Sequence, residues 1–236
     1  MQKVIAQCCT IPQRFHNLEK SIISLRNQVD EIRIFLNGFN AIPSRVYMVG
    51  ARLYWSQDEW PAGERGKFHN APENCYFLTF DDDMIYPPKF VETLKNKLQQ
   101  FDNKIVAGFH GKTYTKLPIN SFYKDFTNVY PVLKEVETDT WVNVIGTGCQ
   151  MIHTSLYKPD PTQWPHAGMS DIYYSIELQK RNIPALVVAH KAGDVGYTLS
   201  PHAETIYKKY KRNHTIQTDL MNVYDRWEIH QPPPAT

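Results

Sequence analysis

The sequence predicts a single α/β domain, a sheet flanked by helices with its site at the carboxyl ends of the strands, and three observations lead there. Short apolar runs alternate with segments of helical period through the first half of the chain. One of those runs ends directly on three aspartates, Asp81-Asp82-Asp83. A length of 236 residues with 42% hydrophobic content is enough for one full core without requiring a second domain.

In chain order, residues 3–9 form an apolar run that fits a buried parallel strand, stopped by Thr10-Ile11-Pro12. Leu18, Ile22, Leu25 and Val29 then recur at helical spacing, and residues 32–36 make a second strand closed by Asn37-Gly38, completing a βαβ unit. A third short strand is expected at 46–49, followed by a loop over 54–66 and a small helix near Lys67. Residues 75–80 are the fourth strand, ending on the acidic run. Phe90, Leu94, Leu98 and Phe101 mark the next helix, with Pro87-Pro88 suited to its entry. Residues 105–109 are strand-like again.

From 111 to 140 the pattern turns irregular, and a long loop or a peripheral hairpin is expected. Residues 141–145 read as one strand, Gly146-Thr147-Gly148 as a turn, and 149–152 as an apolar strand. Ser170 is the expected N-cap of a helix carrying Ile172, Tyr173 and Ile176 and ending by Asn182. Residues 185–189 form the last clear strand. Beyond it come a Gly-rich stretch, a basic helix-like segment over 208–212 and a Pro-rich tail, Pro232-Pro233-Pro234, expected to be disordered. No internal repeat is present.

The charge balance, 26 basic against 24 acidic residues for a formal net charge of +2, gives no bulk drive toward nucleic acid or an anionic membrane. Cys8, Cys9, Cys75 and Cys149 lie in apolar or strand-like stretches without zinc spacing, as expected for reduced thiols. The amino terminus has no signal-peptide pattern, and no stretch approaches the roughly 20 apolar residues that span a bilayer. A soluble, cytoplasmic protein without an obligate protein partner is expected. The 14 tyrosines and five tryptophans suit either sugar faces or core packing.

Several carboxylates at the end of a buried strand repel one another unless a cation joins them. Magnesium or manganese bridging phosphate oxygens suits this carboxylate set, with Asp81 and Asp83 on the same side of an extended backbone. A solvated acidic turn ahead of the helix is the alternative.

Together these pieces resemble the GT-A fold glycosyltransferases, of the inverting family-2-like kind. Thr79 to Pro88, TFDDDMIYPP, is similar to their Asp-x-Asp segment; Cys9-Thr10-Ile11-Pro12-Gln13-Arg14 to the first-strand loop; Phe35-Leu36-Asn37-Gly38 to the end of the second strand. Gly63-Glu64-Arg65-Gly66-Lys67-Phe68 resembles their Gly-rich basic segment, and the likeness covers roughly residues 2 to 200. It implies a Rossmann-like mixed sheet flanked by helices, and hexosyl transfer from a nucleotide-sugar, a UDP-sugar favoured, to an acceptor hydroxyl, with Mn2+ or Mg2+. Thr10 and Arg14 would contact the base or ribose, Asn37 and Asp58 the nucleoside, and Lys67 the base or phosphate. Asp81 would hold the ribose or the metal, Asp83 would bind the metal directly, and Asp82 would lie on the nucleotide-sugar.

Gly146-Thr147-Gly148-Cys149-Gln150-Met151 resembles the loop under the donor sugar, with Gly148 against the donor. Asp171 matches the general base of the family's acidic pair, while Ser170 departs from its usual glutamate. A carboxyl-terminal histidine joins the metal in many GT-A enzymes; His190 is the first candidate here and His202 the second. The implied organisation is residues 1–110 for the nucleotide-sugar, 111–205 for acceptor and catalysis, and 206–236 as a basic segment and tail.

Residue chemistry leaves other readings open. A nucleotidyltransferase acting on sugar phosphates also pairs carboxylates with magnesium, but it would normally show a Gly-rich loop after the first strand, and CCTIPQR is not one. A hydrolase lacks a recognisable nucleophile and base. A non-catalytic sugar or nucleic-acid module draws on the tyrosines and residues 208–212. The acceptor stays open among glycan, lipid-linked sugar, protein and modified DNA.

Overall fold

A computed structural model describes residues 2–44, 62–199 and 205–232, with the backbone alone of 52–55. The strand expected at 46–49, Asp58, His202 and most of the Pro-rich tail lie outside the described residues.

The described elements are β1 (Val4–Thr10), α1 (Phe15–Leu25), β2 (Glu31–Leu36), β3 (Arg52–Trp55), β4 (Tyr76–Phe80), β5 (Met84–Ile85), α2 (Phe90–Gln100) and β6 (Val106–Gly108). Then follow β7 (Gly111–Thr113), β8 (Asn128–Tyr130), β9 (Thr140–Val142), β10 (Val144–Ile145), β11 (Cys149–His153), α3 (Ser170–Gln179), β12 (Ala185–Val187), β13 (Gly196–Tyr197), α4 (Ile206–Arg212) and α5 (Thr215–Val223). Among the described residues the main sheet has eight strands in the order β3-β2-β1-β4-β11-β6-β12-β9.

The strands β3, β2, β1 and β4 are parallel, so their carboxyl ends share one edge. Alternation decides which side chains face which layer. Val4, Ala6, Cys8, Leu78 and Phe80 point to the layer of α1 and α2, where Leu18, Ile22, Leu25, Leu94 and Leu98 meet them. Ile5 and Phe77 point the other way, onto Phe68, Trp164 and Tyr174. Both faces are covered, which is why these strands are almost continuously apolar.

Gln7 is the exception in β1, fully buried, and it is explained by the segment it holds. Its Nε2 donates to the Gly66 carbonyl at 3.2 Å and to the His69 carbonyl at 2.7 Å, tying the 3-10 helix Gly63–Phe68 to the strand.

The second half departs from the expectations in several places. The run 141–145 is two strands: β9 closes the main sheet beside β12, and β10 joins β7 and β8 in a separate three-stranded sheet. The break is Asn143, buried, whose Oδ1 accepts from Tyr114 N at 3.0 Å and whose Nδ2 donates to Tyr114 O at 2.8 Å. The irregular stretch 111–140 supplies β7 and β8, an antiparallel pair outside the main sheet, in keeping with the peripheral hairpin expected as one of its two alternatives. Residues 52–55, taken in part for a loop, form edge strand β3, and α5 has no counterpart among the expectations. Met169 occupies the N-cap position of α3, and Ser170 is its first helical residue.

Strand β11 runs antiparallel between β4 and β6. The turn that precedes it, residues 146–148, is thereby brought to the end of β4 where the aspartates lie. All four cysteines are free thiols. No helix among the described residues is long and apolar enough to cross a membrane.

Candidate functional site

The chain leaves the extended conformation at Phe80, and Asp81, Asp82 and Asp83 occupy the turn between β4 and β5. The same-side relation expected of Asp81 and Asp83 on an extended strand is replaced by a division of partners. Asp82, the member of which the sequence says least, has the fullest set. Thr10 Oγ1 donates to its Oδ2 at 2.7 Å and the Arg14 guanidinium to its Oδ1 at 3.3 Å.

Arg14 also reaches Asp83 Oδ2 at 3.2 Å, and Lys67 Nζ is bonded to Asp81 Oδ1. Strand β13 pairs with β5, and Thr198 N and Oγ1 donate to the Asp83 carbonyl at 2.8 and 3.1 Å, fixing that end of the turn.

These charges are mostly withdrawn from water. The side chains of Asp82 and Asp83 are 4% and 8% exposed and that of Lys67 6%, whereas Asp81 is 33% exposed and is the member open to a ligand. Burial raises the Asp82 carboxyl, with Thr10 and Arg14 opposing. Burial, followed by repulsion from Asp81 and Asp82, pushes Asp83 up to about 7. Burial alone would lower Lys67, but Asp81 outweighs it and holds the ammonium above its ordinary value.

Three carboxylates face two cations here, and the surplus of negative charge falls on a buried group. Among the described residues no three His, Cys, Asp or Glu side chains converge as a ready-made metal cage. The donor chemistry nevertheless fits magnesium or manganese: oxygen ligands and an excess of negative charge.

Asn37 sits beside this end of the sheet, its N–H donating to the Thr10 carbonyl at 3.0 Å. Gly148 abuts Asp81 so closely that a Cβ there would stand 2.0 Å from Asp81 Oδ2. Tyr86, buried after the aspartates, links the two: its hydroxyl accepts from Asp81 N at 2.8 Å and donates to Gly148 O at 2.6 Å.

One residue earlier, Thr147 engages Asp171 at the first turn of α3. Its N–H and Oγ1 donate to Asp171 Oδ1 at 2.9 and 2.7 Å. Asp171 Oδ2 makes no hydrogen bond with a described residue. The loop 147–148 therefore touches Asp81 on one side and Asp171 on the other.

Ser170, where the resemblance expects glutamate, is bonded to a carboxylate from elsewhere. Glu64 Oε1 accepts from Ser170 N at 3.2 Å and Oγ at 2.7 Å, and Oε2 accepts from Gly168 N at 2.5 Å. A carboxylate at a helix amino terminus satisfies orphan N–H groups and is favoured by the helix dipole. Glu64 thus joins the Lys67 segment to the Asp171 helix.

His190 is not gathered to the aspartates. Its backbone pairs with Val136, its ring stacks on Phe109 with centroids 4.7 Å apart, and Nδ1 and Nε2 lie 2.7 and 3.4 Å from the carbonyls of Val188 and Pro131. Both nitrogens face backbone oxygens, so packing accounts for this residue.

Two site groups escaped the sequence reading. His110 directs Nδ1 at the Tyr130 carbonyl, 3.0 Å away, and burial lowers its pKa, with Asp171 opposing. The neutral ring therefore donates from Nδ1 and presents Nε2 as an acceptor. Lys112, two residues on, is lowered to about 8 by burial, again with Asp171 opposing. His110 lies just before, and Lys112 within, the stretch from 111 to 140 that lacked a periodic pattern.

No protein-family model and no curated protein matches the chain. Among solved structures, glucosyl-3-phosphoglycerate synthase from Mycobacterium tuberculosis with Mn2+, UDP and phosphoglyceric acid aligns at TM-score 0.58 and 14% identity, over 94% of this chain and 79% of that one. A 4-diphosphocytidyl-2C-methyl-D-erythritol synthase aligns at TM-score 0.50 and 12% identity, over 94% and 99%. With another structure of the mycobacterial synthase, holding Mn2+, UDP and glucosyl-3-phosphoglycerate, the match spans 45% of this chain and 43% of that one at TM-score 0.37. The fold is of GT-A type, a Rossmann-like mixed sheet flanked by helices in a single domain.

Proposed function

We propose that this chain is a metal-dependent glycosyltransferase that moves a sugar from a nucleotide-sugar, a UDP-sugar favoured, to an acceptor hydroxyl with inversion. The observation that carries the reading is the loop Thr147-Gly148, which touches Asp81 and Asp171 with adjacent residues. The acidic end of β4 and a carboxylate with one unbonded oxygen are thereby brought to the two sides of one short segment. The Mn2+ and UDP of the mycobacterial synthase that shares the fold support the same assignment.

In this reading residues 1–110 take the donor and 111–205 the acceptor and the catalytic base. Thr10, Arg14, Asn37 and Lys67 line the nucleotide end, and Asp81, Asp82 and Asp83 form the acidic wall facing the diphosphate. Asp81 and Asp83 are the residues that would hold Mn2+ or Mg2+, which when bound neutralises the charge developing on the nucleoside diphosphate. Gly148, lacking a Cβ, leaves room for the Asp81 carboxylate beside the segment on which the donor sugar would lie. Asp171 Oδ2 accepts the proton of the acceptor hydroxyl as that oxygen bonds to the anomeric carbon and the bond from that carbon to the phosphate oxygen breaks. Thr147 holds Oδ1 and so keeps Oδ2 directed to the acceptor.

The decisive measurement is a panel of UDP, GDP, CMP and TDP sugars with manganese or magnesium, read by calorimetric binding and by release of the nucleoside diphosphate. Metal-dependent binding of one member is expected, and its absence across the panel would sink the reading. The shared fold of the cytidylyl-type synthase supports a second reading, nucleotidyl transfer to a sugar phosphate. Pyrophosphate release from a nucleoside triphosphate in the same assay would favour it.

A further inference from the structure

Lys112 carries a charge that no described side chain meets in an ion pair. It extends from the middle of β7, and its ammonium stands over three rings, 4.0 Å from the centroid of Phe122, 5.0 Å from Tyr123 and 5.7 Å from Phe126. The ammonium makes no salt bridge and no hydrogen bond with any described residue. Ring faces attract a cation but do not replace the hydrogen bonds of water, so a partly buried ammonium so placed is short of acceptors.

Its surroundings are those of the proposed acceptor side. Asp171 is the charge that opposes the effect of burial on Lys112, as it does for His110 in the same strand region. Tyr123, one wall of the ring cluster, is packed edge-on against Tyr207 of α4 at 5.4 Å. The next turn of that helix sends Tyr210 to the Ala167 carbonyl, 3.1 Å away, and its ring fills the space beside Gly168, where φ is +84° and a Cβ would stand 2.3 Å from the ring. Helix α4 thus lies across the entrance to α3, and it carries Lys208, Lys209, Lys211 and Arg212. An ordinary surface lysine is fully solvated, whereas Lys112 is half-buried and the contacts of its ammonium are to rings, of which Phe122 is buried.

We infer that the acceptor is a small anionic molecule, a phosphomonoester or a carboxylate, whose charged group is received by Lys112 while its hydroxyl is offered to Asp171. This rests on the glycosyltransferase reading for the role of Asp171. A compact anion supplies the acceptors the ammonium lacks, and lysine serves as a point-charge partner for phosphate. The basic face of α4 adds to the potential that draws an anion in.

The full-length protein tests this with paired probes, glycerol 3-phosphate and glycerate against glycerol, titrated calorimetrically with UDP and Mn2+ and again without them. One or both anionic probes should bind and glycerol should not, and which anion binds distinguishes phosphate from carboxylate. Lys112→Gln should weaken the anion by about tenfold or more, and Lys112→Arg should retain most of the affinity. Lys112→Met serves as a second neutral variant should the glutamine variant fail to fold. UDP affinity should be the same in all of them.

Equal binding of glycerol, or anion binding indifferent to Lys112→Gln and Lys112→Met, or no anion binding at all, would overturn the inference while leaving UDP binding and the transferase reading standing. Failure of UDP to bind the wild type counts against the transferase reading instead, and the titration without nucleotide still decides the anion site. A short single-stranded DNA that binds, loses affinity in Lys209→Ala and Lys211→Ala, and ignores Lys112→Gln would reassign the basic surface to nucleic acid and also overturn the inference.

Discussion

The aspartate end of β4 and the Lys112 side of α3 are both charged and both largely withdrawn from water, yet they are balanced in opposite ways. At the aspartates, Arg14 and Lys67 are engaged with carboxylates, and the excess is negative. At Lys112 the cation faces rings, and no described carboxylate is in contact with it, Asp171 acting only through space. A buried excess of one sign is costly, and a site retains it where a ligand of the other sign completes it. The first region therefore asks for a cation and the second for an anion, with the loop 147–148 between them.

The largest expected effect separates the two regions by their tasks. Asp171→Asn keeps the size of the side chain but removes the proton acceptor, so transfer should fall by about 10²–10⁴-fold with UDP and Mn2+ binding nearly unchanged. Equal loss of both would make Asp171 a structural residue and dissolve the contrast. Asp83→Asn should act on the other side, lowering metal-dependent UDP affinity by roughly 10²-fold; calorimetry with and without Mn2+ would show it.

Gly148→Ala tests how closely the regions are joined. The new methyl must displace the Asp81 carboxylate, which is bonded to Lys67, and a loss of about tenfold in Mn2+-dependent UDP affinity is expected with the fold retained. Unchanged affinity would detach Asp81 from the metal.

Glu64→Gln weakens the link between the Lys67 segment and α3. The amide still accepts from one N–H but loses the charge at the helix start, and a loss of about 1–2 kcal/mol in unfolding free energy is expected, measured by urea denaturation.

A last effect is one of pH. In the metal-free protein Asp83 keeps its proton up to about 7, whereas its ordinary value is 3.8, so the folded state binds more protons than the unfolded chain between these values. Stability from this group is fullest below the lower value and declines as pH rises through the upper one. The melting temperature without metal should drop from about pH 5 to about pH 8 on this account. Mn2+ with UDP should reduce the drop, and Asp83→Asn should remove its own share. A metal-free protein whose melting temperature rises over that interval for wild type relative to Asp83→Asn would contradict the excess of negative charge.

Much of the first half was legible because its order is local. β1, α1, β2, β4 and α2 follow from period-2 and helical spacing in single segments, and an acidic run after an apolar strand marks the sheet end whatever the rest of the chain does. The second half is built from strands of two to five residues, too short for periodicity to declare them, so 111–140 reads only as a loop or a peripheral hairpin, the antiparallel pair β7 and β8 being the latter, and the division at Asn143 reads as one strand. Ser170 reads as a cap by residue type, but a carboxylate 106 residues away supplies the capping instead.

By itself, then, the sequence determined that the chain would form an α/β sheet and that carboxylates would gather at the end of one strand, because each follows from neighbours within a few residues. Only the tertiary structure decided which cation meets which carboxylate, Arg14 across 68 residues to Asp82 and Lys67 across 14 to Asp81. It also decided that, among the described residues, Asp171 keeps one oxygen unbonded, His190 is spent on packing, and the Lys112 ammonium has rings for company. Those outcomes depend on how short strands from distant parts of the chain are set side by side, and residue type carries no record of that placement.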